Sequence, residues 1–203
     1  MRVGVAVTED VNVGAGQADD GAVGMARLCF ELGVLSRVAR AGWWHAGIKI
    51  PESVAEHSLR VSQIAGMIAI AEGGNPERAT ILGAWHDVTE TRIGDIPHSA
   101  LPYLKKPDNR VIINDQVSGL PVVVADFVRG VVDEFESQDT LESHCARDAD
   151  KLDCLFKALE YRDAGNNRVQ GWIDSSTAKL TAQTAKEMAE AALNMSPLAW
   201  RDR

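Results

Sequence analysis

Four residues in this chain have side chains suited to holding a metal ion: His57 in "SVAEHSLRV", the neighbours His86 and Asp87 in "ILGAWHDVTE", and Asp150 in "ARDADKLDCLFKALEY". Two imidazoles and two carboxylates suit a borderline or hard divalent cation, and the carboxylates formally offset its charge. Around an octahedral ion, four protein ligands leave room for water and a substrate oxygen, which is what metal-assisted hydrolysis needs. Singly, each residue has a plainer reading. His57 lies amid apolar positions, like a satisfied core histidine. His86–Asp87 has the look of helix-end chemistry. Asp150 resembles a solvated helix residue, with Asp148 and Asp153 as competitors. Spacing alone does not bring these side chains together; the elements that carry them must.

Helical periodicity dominates the chain. A first helix is expected over about residues 22–40, where Met25, Leu28, Cys29, Leu32, Leu35 and Val38 recur on one face. "AGWWHAGIKIPES" interrupts it through Gly42 and Gly47, and Pro51 is suited to opening the next helix. That helix, over about residues 52–71, places Val54, Val61, Ile64, Ala65 and Ile68 together and carries His57. A third starts near Pro76 and is expected to run through Val88, so that His86 and Glu90 share a face if the turn stays helical. Gly94, Pro97, Pro102 and Pro107 mark a long connection. Helices are then expected from about Asn109, over "GLPVVVADFVRGVVDEF" with Val124, Phe127, Val128, Val131 and Phe135 inward, over about residues 141–163, and over about residues 176–193. With no βαβ alternation, the fold class is all-α: a helical bundle with a metal site between helices. Residues 1–21 read as a flexible arm and 22–203 as one domain.

Composition narrows the function. Twenty-one Lys and Arg against 29 Asp and Glu give a formal net charge of -8. Without a basic cluster, neither nucleic acid nor an acidic membrane is an expected partner. Cys29, Cys145 and Cys154 are an odd number with no close spacing, which fits a reducing compartment and neither a disulfide scaffold nor a four-thiolate zinc module. The opening "MRVGVAVTEDVNVGAGQADDGAVG" lacks a basic segment leading into an apolar one, and no stretch reaches the ~18 apolar residues of a membrane span. The cytoplasm is the expected location.

The ordered set His57, His86–Asp87 and Asp150 resembles the HD-domain metal-dependent phosphohydrolases. "PESVAEHSLRVSQIA", "GAWHDVTETRIGDIPHS" and "DADKLDCLFKALEY" look like their 5'-deoxynucleotidase branch, and the likeness runs from about Leu28 to Leu180. The resemblance implies that His57, His86, Asp87 and Asp150 ligate one divalent ion, with Mn, Co, Mg and Zn as candidates. It makes Glu90 an acid near the attacking water, Asp95 a second catalytic acid and Trp43 a substrate-binding residue. It also implies removal of the 5'-phosphate from a deoxynucleoside monophosphate, and a homodimer. Bacterial deoxynucleotidases carry arginine immediately before the tryptophan, where this chain has Gly42, as the human-like members of the branch tolerate.

Plainer alternatives accompany the secondary candidates. Glu90 is also suited to a solvated surface, Asp95 to shaping the "IGDIP" turn, and Trp43 to anchoring the core. His98 follows the signature turn and is placed to touch phosphate or simply to face solvent; His45 and His144 have weaker contexts. Two rival functions stay open: a phosphohydrolase releasing pyrophosphate or tripolyphosphate from a nucleoside triphosphate or modified nucleotide, and a non-catalytic nucleotide-sensing scaffold.

Overall fold

A computed structural model describes residues 18–201. In order they form α1 (Ala18–Leu32), a 3₁₀ turn (Gly33–Arg37), a second 3₁₀ turn (Ala41–Ala46), α2 (Val54–Ala71), α3 (Pro76–Trp85), the short α4 (Glu90–Ile93), a third 3₁₀ turn (His98–Tyr103), α5 (Asn109–Gln116), α6 (Val122–Ser137), α7 (Leu141–Asp163), α8 (Gln170–Thr177) and α9 (Gln183–Leu193), with a fourth 3₁₀ turn (Asn167–Val169) between α7 and α8. Among the described residues, β pairing is limited to the isolated bridge Ala39–Ser53, and no helix is long and apolar enough to cross a membrane. The fold is the expected all-α bundle.

α2 and α7 form its centre. Val54, Val61, Ala65 and Ile68 from α2 and Ala149, Leu152 and Leu155 from α7 are fully buried, and burial of each such leucine contributes about 1.5–3 kcal/mol. α3 lies against α2, and α9 closes the other side. The approach of α3 to α2 depends on glycine. A Cβ on Gly83 would lie 2.9 Å from Ser62 Cα and 3.0 Å from Ser62 N, and one on Gly66 would lie 2.6 Å from Thr80 Oγ1. A second, smaller core gathers Val88 with Ile113, Val117, Ala125, Val128 and Val132, joining α5 and α6 to the turn after α3.

Several boundaries differ from those expected. α1 begins at Ala18, within the arm read over 1–21, whose remainder lies outside the described residues; it ends at Leu32, before Gly33. The chain then tightens into a 3₁₀ turn, closed by the Val38 N–H on the Val34 carbonyl, and becomes extended at Val38, where the Val38 carbonyl accepts from Val54 N–H and Arg40 N–H donates to the Glu52 carbonyl. α2 starts at Val54 and not at Pro51: Ser53 caps it in a reciprocal box with Glu56. Pro76 does open α3, beside an Asn75 cap. α6 is helical as expected, but Ala125 and Val132 face inward while Phe127 is 45% exposed.

The late helix expected over 176–193 begins only at Gln183, and a separate helix, α8, occupies Gln170–Thr177, almost wholly before the expected start. Asp148, fully buried on α7, accepts hydrogen bonds from the backbone N–H of Thr181 and of Ala182 and from the Thr181 hydroxyl, and so caps α9 from outside its own sequence.

Two substitutions test this packing in urea titrations. Gly83→Ala is expected to destabilise by about 1–3 kcal/mol through overpacking; an unchanged midpoint would mean that α3 does not rest on Ser62. Asp148→Ala is expected to cost about 1–3 kcal/mol by stranding buried donors, and wild-type stability would contradict the external cap.

Candidate metal centre

His57 projects from the first turns of α2, one turn beyond the Ser53–Glu56 cap, and is 1% exposed. His86 terminates α3 and is 4% exposed. Because the two helices approach so closely, the Nε2 atoms of these imidazoles are 3.3 Å apart. His57 Nε2 is 3.6 Å from Asp87 Oδ2 and 3.4 Å from Asp150 Oδ1, while His86 Nε2 is 3.1 Å from Asp87 Oδ2. The four residues expected from sequence therefore meet from α2, the end of α3 and α7.

The end of α3 is what turns Asp87 inward. The helix stops at Trp85, short of the expected Val88, and residues 86–92 continue through i to i+3 bonds: Val88 N–H to Trp85, Glu90 N–H to Asp87, Thr91 N–H to Val88. His86 Nδ1 also bonds back to the Gly83 carbonyl at 2.8 Å. Such tightening is common at helix C-termini. Val88 anchors the turn in the second core, so Asp87, one residue earlier, is directed to the histidines.

The donor set fits a divalent ion. Neutral imidazole offers one N–H and one lone pair. His86 Nδ1 is committed to a carbonyl and His57 Nδ1 to Asp153 Oδ2 at 2.5 Å, leaving both Nε2 atoms facing Asp87 and Asp150. Electrostatics points the same way. Burial and the Arg40 charge oppose protonation of His57, but Asp150 and Asp153 override them and push its pKa up to about 9. Burial would raise the Asp87 pKa, yet His86, Arg40 and His57 hold this carboxyl well below the usual range. Asp150 is likewise held low against its burial, with His57 and Lys151 as causes. The cluster draws positive charge into a place that excludes most water, the demand that a buried cation meets.

Glu90 and Asp95 occupy different surroundings. Glu90 is 8% exposed, and among the described residues its Oε2 has no hydrogen-bond partner. Burial, then Asp87 and Asp95, push its pKa up to about 10. Asp95 does not close the "IGDIP" turn on itself; its carboxylate accepts from the Ala41 N–H at 2.5 Å and from Arg40 Nη1 at 3.4 Å. Gly94, with φ 71°, supplies the backbone bend there. Arg40 also lies 3.4 Å from Asp87 Oδ2. Burial works against its charge, but Asp87, Asp95 and Asp150 keep it firmly protonated.

Arg40, Asp95 and Asp150 border a cleft of about 540 Å³ whose walls also include Gly42, His98, Lys151 and Trp172. Trp43 is 3% exposed. Its indole stacks on Trp172 with centroids 5.4 Å apart, meets Tyr161 edge-on, and donates from Nε1 to Glu52 at 3.2 Å. It anchors the core and touches the cleft by an edge; Trp172 is the more accessible ring. His98 lines the cleft, whereas His45 pairs with Ser99 at the surface.

The sequence reading missed Arg40, assigned to the end of a helix, and Asp153, treated as a competitor of Asp150. Arg40 gave no local signal because its partners lie 47 and 55 residues away. Asp153 did carry one: at three residues from Asp150 it shares that residue's helix face.

Comparison with known proteins identifies the family. The family model described as HD domain matches residues 32–192. The 5'-deoxynucleotidase HDDC2 of Danio rerio is 30% identical over 154 residues, covering 73% of this chain and 76% of that protein. Its namesake in Mus musculus is 29% identical over 162 residues, 78% of this chain and 81% of the other. A solved structure of a conserved hypothetical protein from Pyrococcus furiosus superposes with a TM-score of 0.70 at 28% identity, covering 84% of this chain and 99% of that one. With His57, His86 and Asp87 clustered and Asp150 beside His57, the chain belongs to the HD domain family.

Proposed function

We propose that the protein is a divalent-metal-dependent phosphohydrolase that removes the 5'-phosphate from deoxynucleoside monophosphates. The observation carrying this reading is the four-residue cluster, which reaches through Asp150 and the Asp87–Arg40 pair to a cleft lined by Asp150, Arg40 and Asp95, with Glu90 Oε2 buried without a partner beside Asp87 and Asp95. The cleft volume lies within the ~300–1,000 Å³ of small-ligand sites, and the preference for deoxynucleotides rests on likeness to relatives named 5'-deoxynucleotidase.

His57, His86, Asp87 and Asp150 would hold the ion, which when bound makes water more acidic and offsets charge on a phosphoryl oxygen. Glu90, desolvated and flanked by Asp87 and Asp95, is held protonated by its burial and those carboxylates; a cation at the four-residue site would offset their charge, and the ionised Glu90 would then be placed to accept a proton from water. The Arg40 guanidinium, fixed between Asp87 and Asp95, presents donors to phosphoryl oxygens that enter the cleft. This gives the Gly42 exchange a physical meaning: an arginine two residues earlier supplies the cation that position 42 lacks. Asp95 acts through the placement of Arg40 and of the nucleophile, and Trp172, backed by Trp43, provides a ring for the sugar or base. The same reading takes the protein as a cytoplasmic homodimer, with light scattering to measure the dimer.

The test supplies metal-free protein with Mn, Co, Mg or Zn and a panel of ribo- and deoxynucleoside mono-, di- and triphosphates. Orthophosphate and deoxynucleoside are the expected products; faster cleavage of ribonucleotides, or tripolyphosphate from triphosphates, would overturn the substrate assignment. Glu90→Gln is expected to lower kcat by about 10²–10⁴-fold with metal affinity intact. Asp87→Ala is expected to weaken metal binding as well as turnover, and full activity in either variant removes that residue from the machinery.

A further inference from the structure

His57 is gripped at both ring nitrogens by aspartates from one helix. Nε2 faces Asp150, and Nδ1 lies 2.5 Å from Asp153 Oδ2. Asp153 is fully buried. Its other oxygen accepts from Arg60 Nε, and Arg60 Nη1 in turn bonds Glu160 at 2.5 Å. Glu160 and Glu52 both pair with Lys157. Glu52, His57 and Asp153 are close enough together to resemble a second metal site, but Arg60 and Lys157 already supply cations to its two carboxylates. These carboxylates are structural partners of the imidazole.

We propose that Asp153, held by Arg60, is a positioning residue that keeps the Nδ1 proton on His57 and so presents the Nε2 lone pair to the metal. The proposal rests on the metal-centre reading above. Its ground is valence: a neutral imidazole protonated at Nδ1 has one lone pair left, at Nε2, whereas the other tautomer points an N–H at the ion and cannot bind it. Without an acceptor at Nδ1, the Asp87 and Asp150 carboxylates beside Nε2 would favour the proton on that nitrogen, the tautomer that cannot bind the ion. His86 has a backbone carbonyl for this purpose; His57 depends on a side chain. Outer partners of this kind hold ligand rings in place and are worth about 10–100-fold in metal affinity. The neighbouring aspartates on α7 thus divide three tasks. Asp148 caps α9, Asp150 faces the ion, and Asp153 orients the opposite ligand.

The test compares zinc affinity, by competition with a chromogenic chelator, in wild type, Asp153→Asn, Arg60→Gln and Asp148→Ala. Asparagine can turn its amide N–H toward Nδ1 and favour the wrong tautomer, so Asp153→Asn is expected to bind zinc about 10–100-fold more weakly. Arg60→Gln should lose less, and Asp148→Ala, a buried aspartate on the same helix, should lose stability with zinc affinity unchanged. Equal affinity in Asp153→Asn and wild type would overturn the proposal while leaving the metal centre standing; a wild type that binds no zinc would overturn the metal centre itself. If Asp153→Asn does not fold, ¹⁵N-imidazole NMR of zinc-loaded wild type decides: a His57 ring protonated at Nδ1 and ligated through Nε2 supports the proposal, and ligation through Nδ1 refutes it.

Discussion

The close approach of α3 to α2 governs this molecule. With no side chain at Gly83 to hold the helices apart, the Nε2 atoms of His57 and His86 lie 3.3 Å apart. Asp87 follows in sequence, and α7, packed on both helices, adds Asp150. Such a gathering of buried polar groups is costly by itself, because ionised carboxylates taken out of water need compensation by pairing or by a metal. A mostly apolar bundle that buries this set has placed a demand for positive charge at a defined point.

Charge is then arranged in shells around that point. Arg40 stands toward the cleft and is shared by Asp87 and Asp95; Arg60 and Lys157 stand behind, on Asp153, Glu52 and Glu160. A formal charge of -8 is therefore no bar to an anionic substrate, since the local field at the cleft would be set by a bound ion and by Arg40 and the overall balance would matter little there. Glu90 is the exception: a carboxyl with an unsatisfied oxygen, buried beside Asp87 and Asp95, holds a proton that its exposed counterpart would lose.

The sequence showed most clearly what is local. The apolar face of α2 from Val54 to Ile68, the opening of α3 at Pro76 and the span of α7 follow from helical periodicity and were read as the structure has them. What resisted reading is set by distant partners. The extended stretch from Val38 to Arg40 and the late start of the last helix depend on bonds to other elements, to Val54 and Glu52 and to Asp148, which no local propensity encodes. The same divide runs through the site. His57, His86, Asp87 and Asp150 were legible as residue types in a recognisable order, and Arg40 was not, since its role appears only when residues about fifty positions away are brought to it.

Anomalous diffraction from crystals soaked in manganese tests the central claim most directly. The account requires one strong peak bounded by His57 Nε2, His86 Nε2 and the carboxylates of Asp87 and Asp150, beneath the cleft that holds Arg40. No peak there, or a manganese ion held only by Glu52 and Asp153, would contradict it.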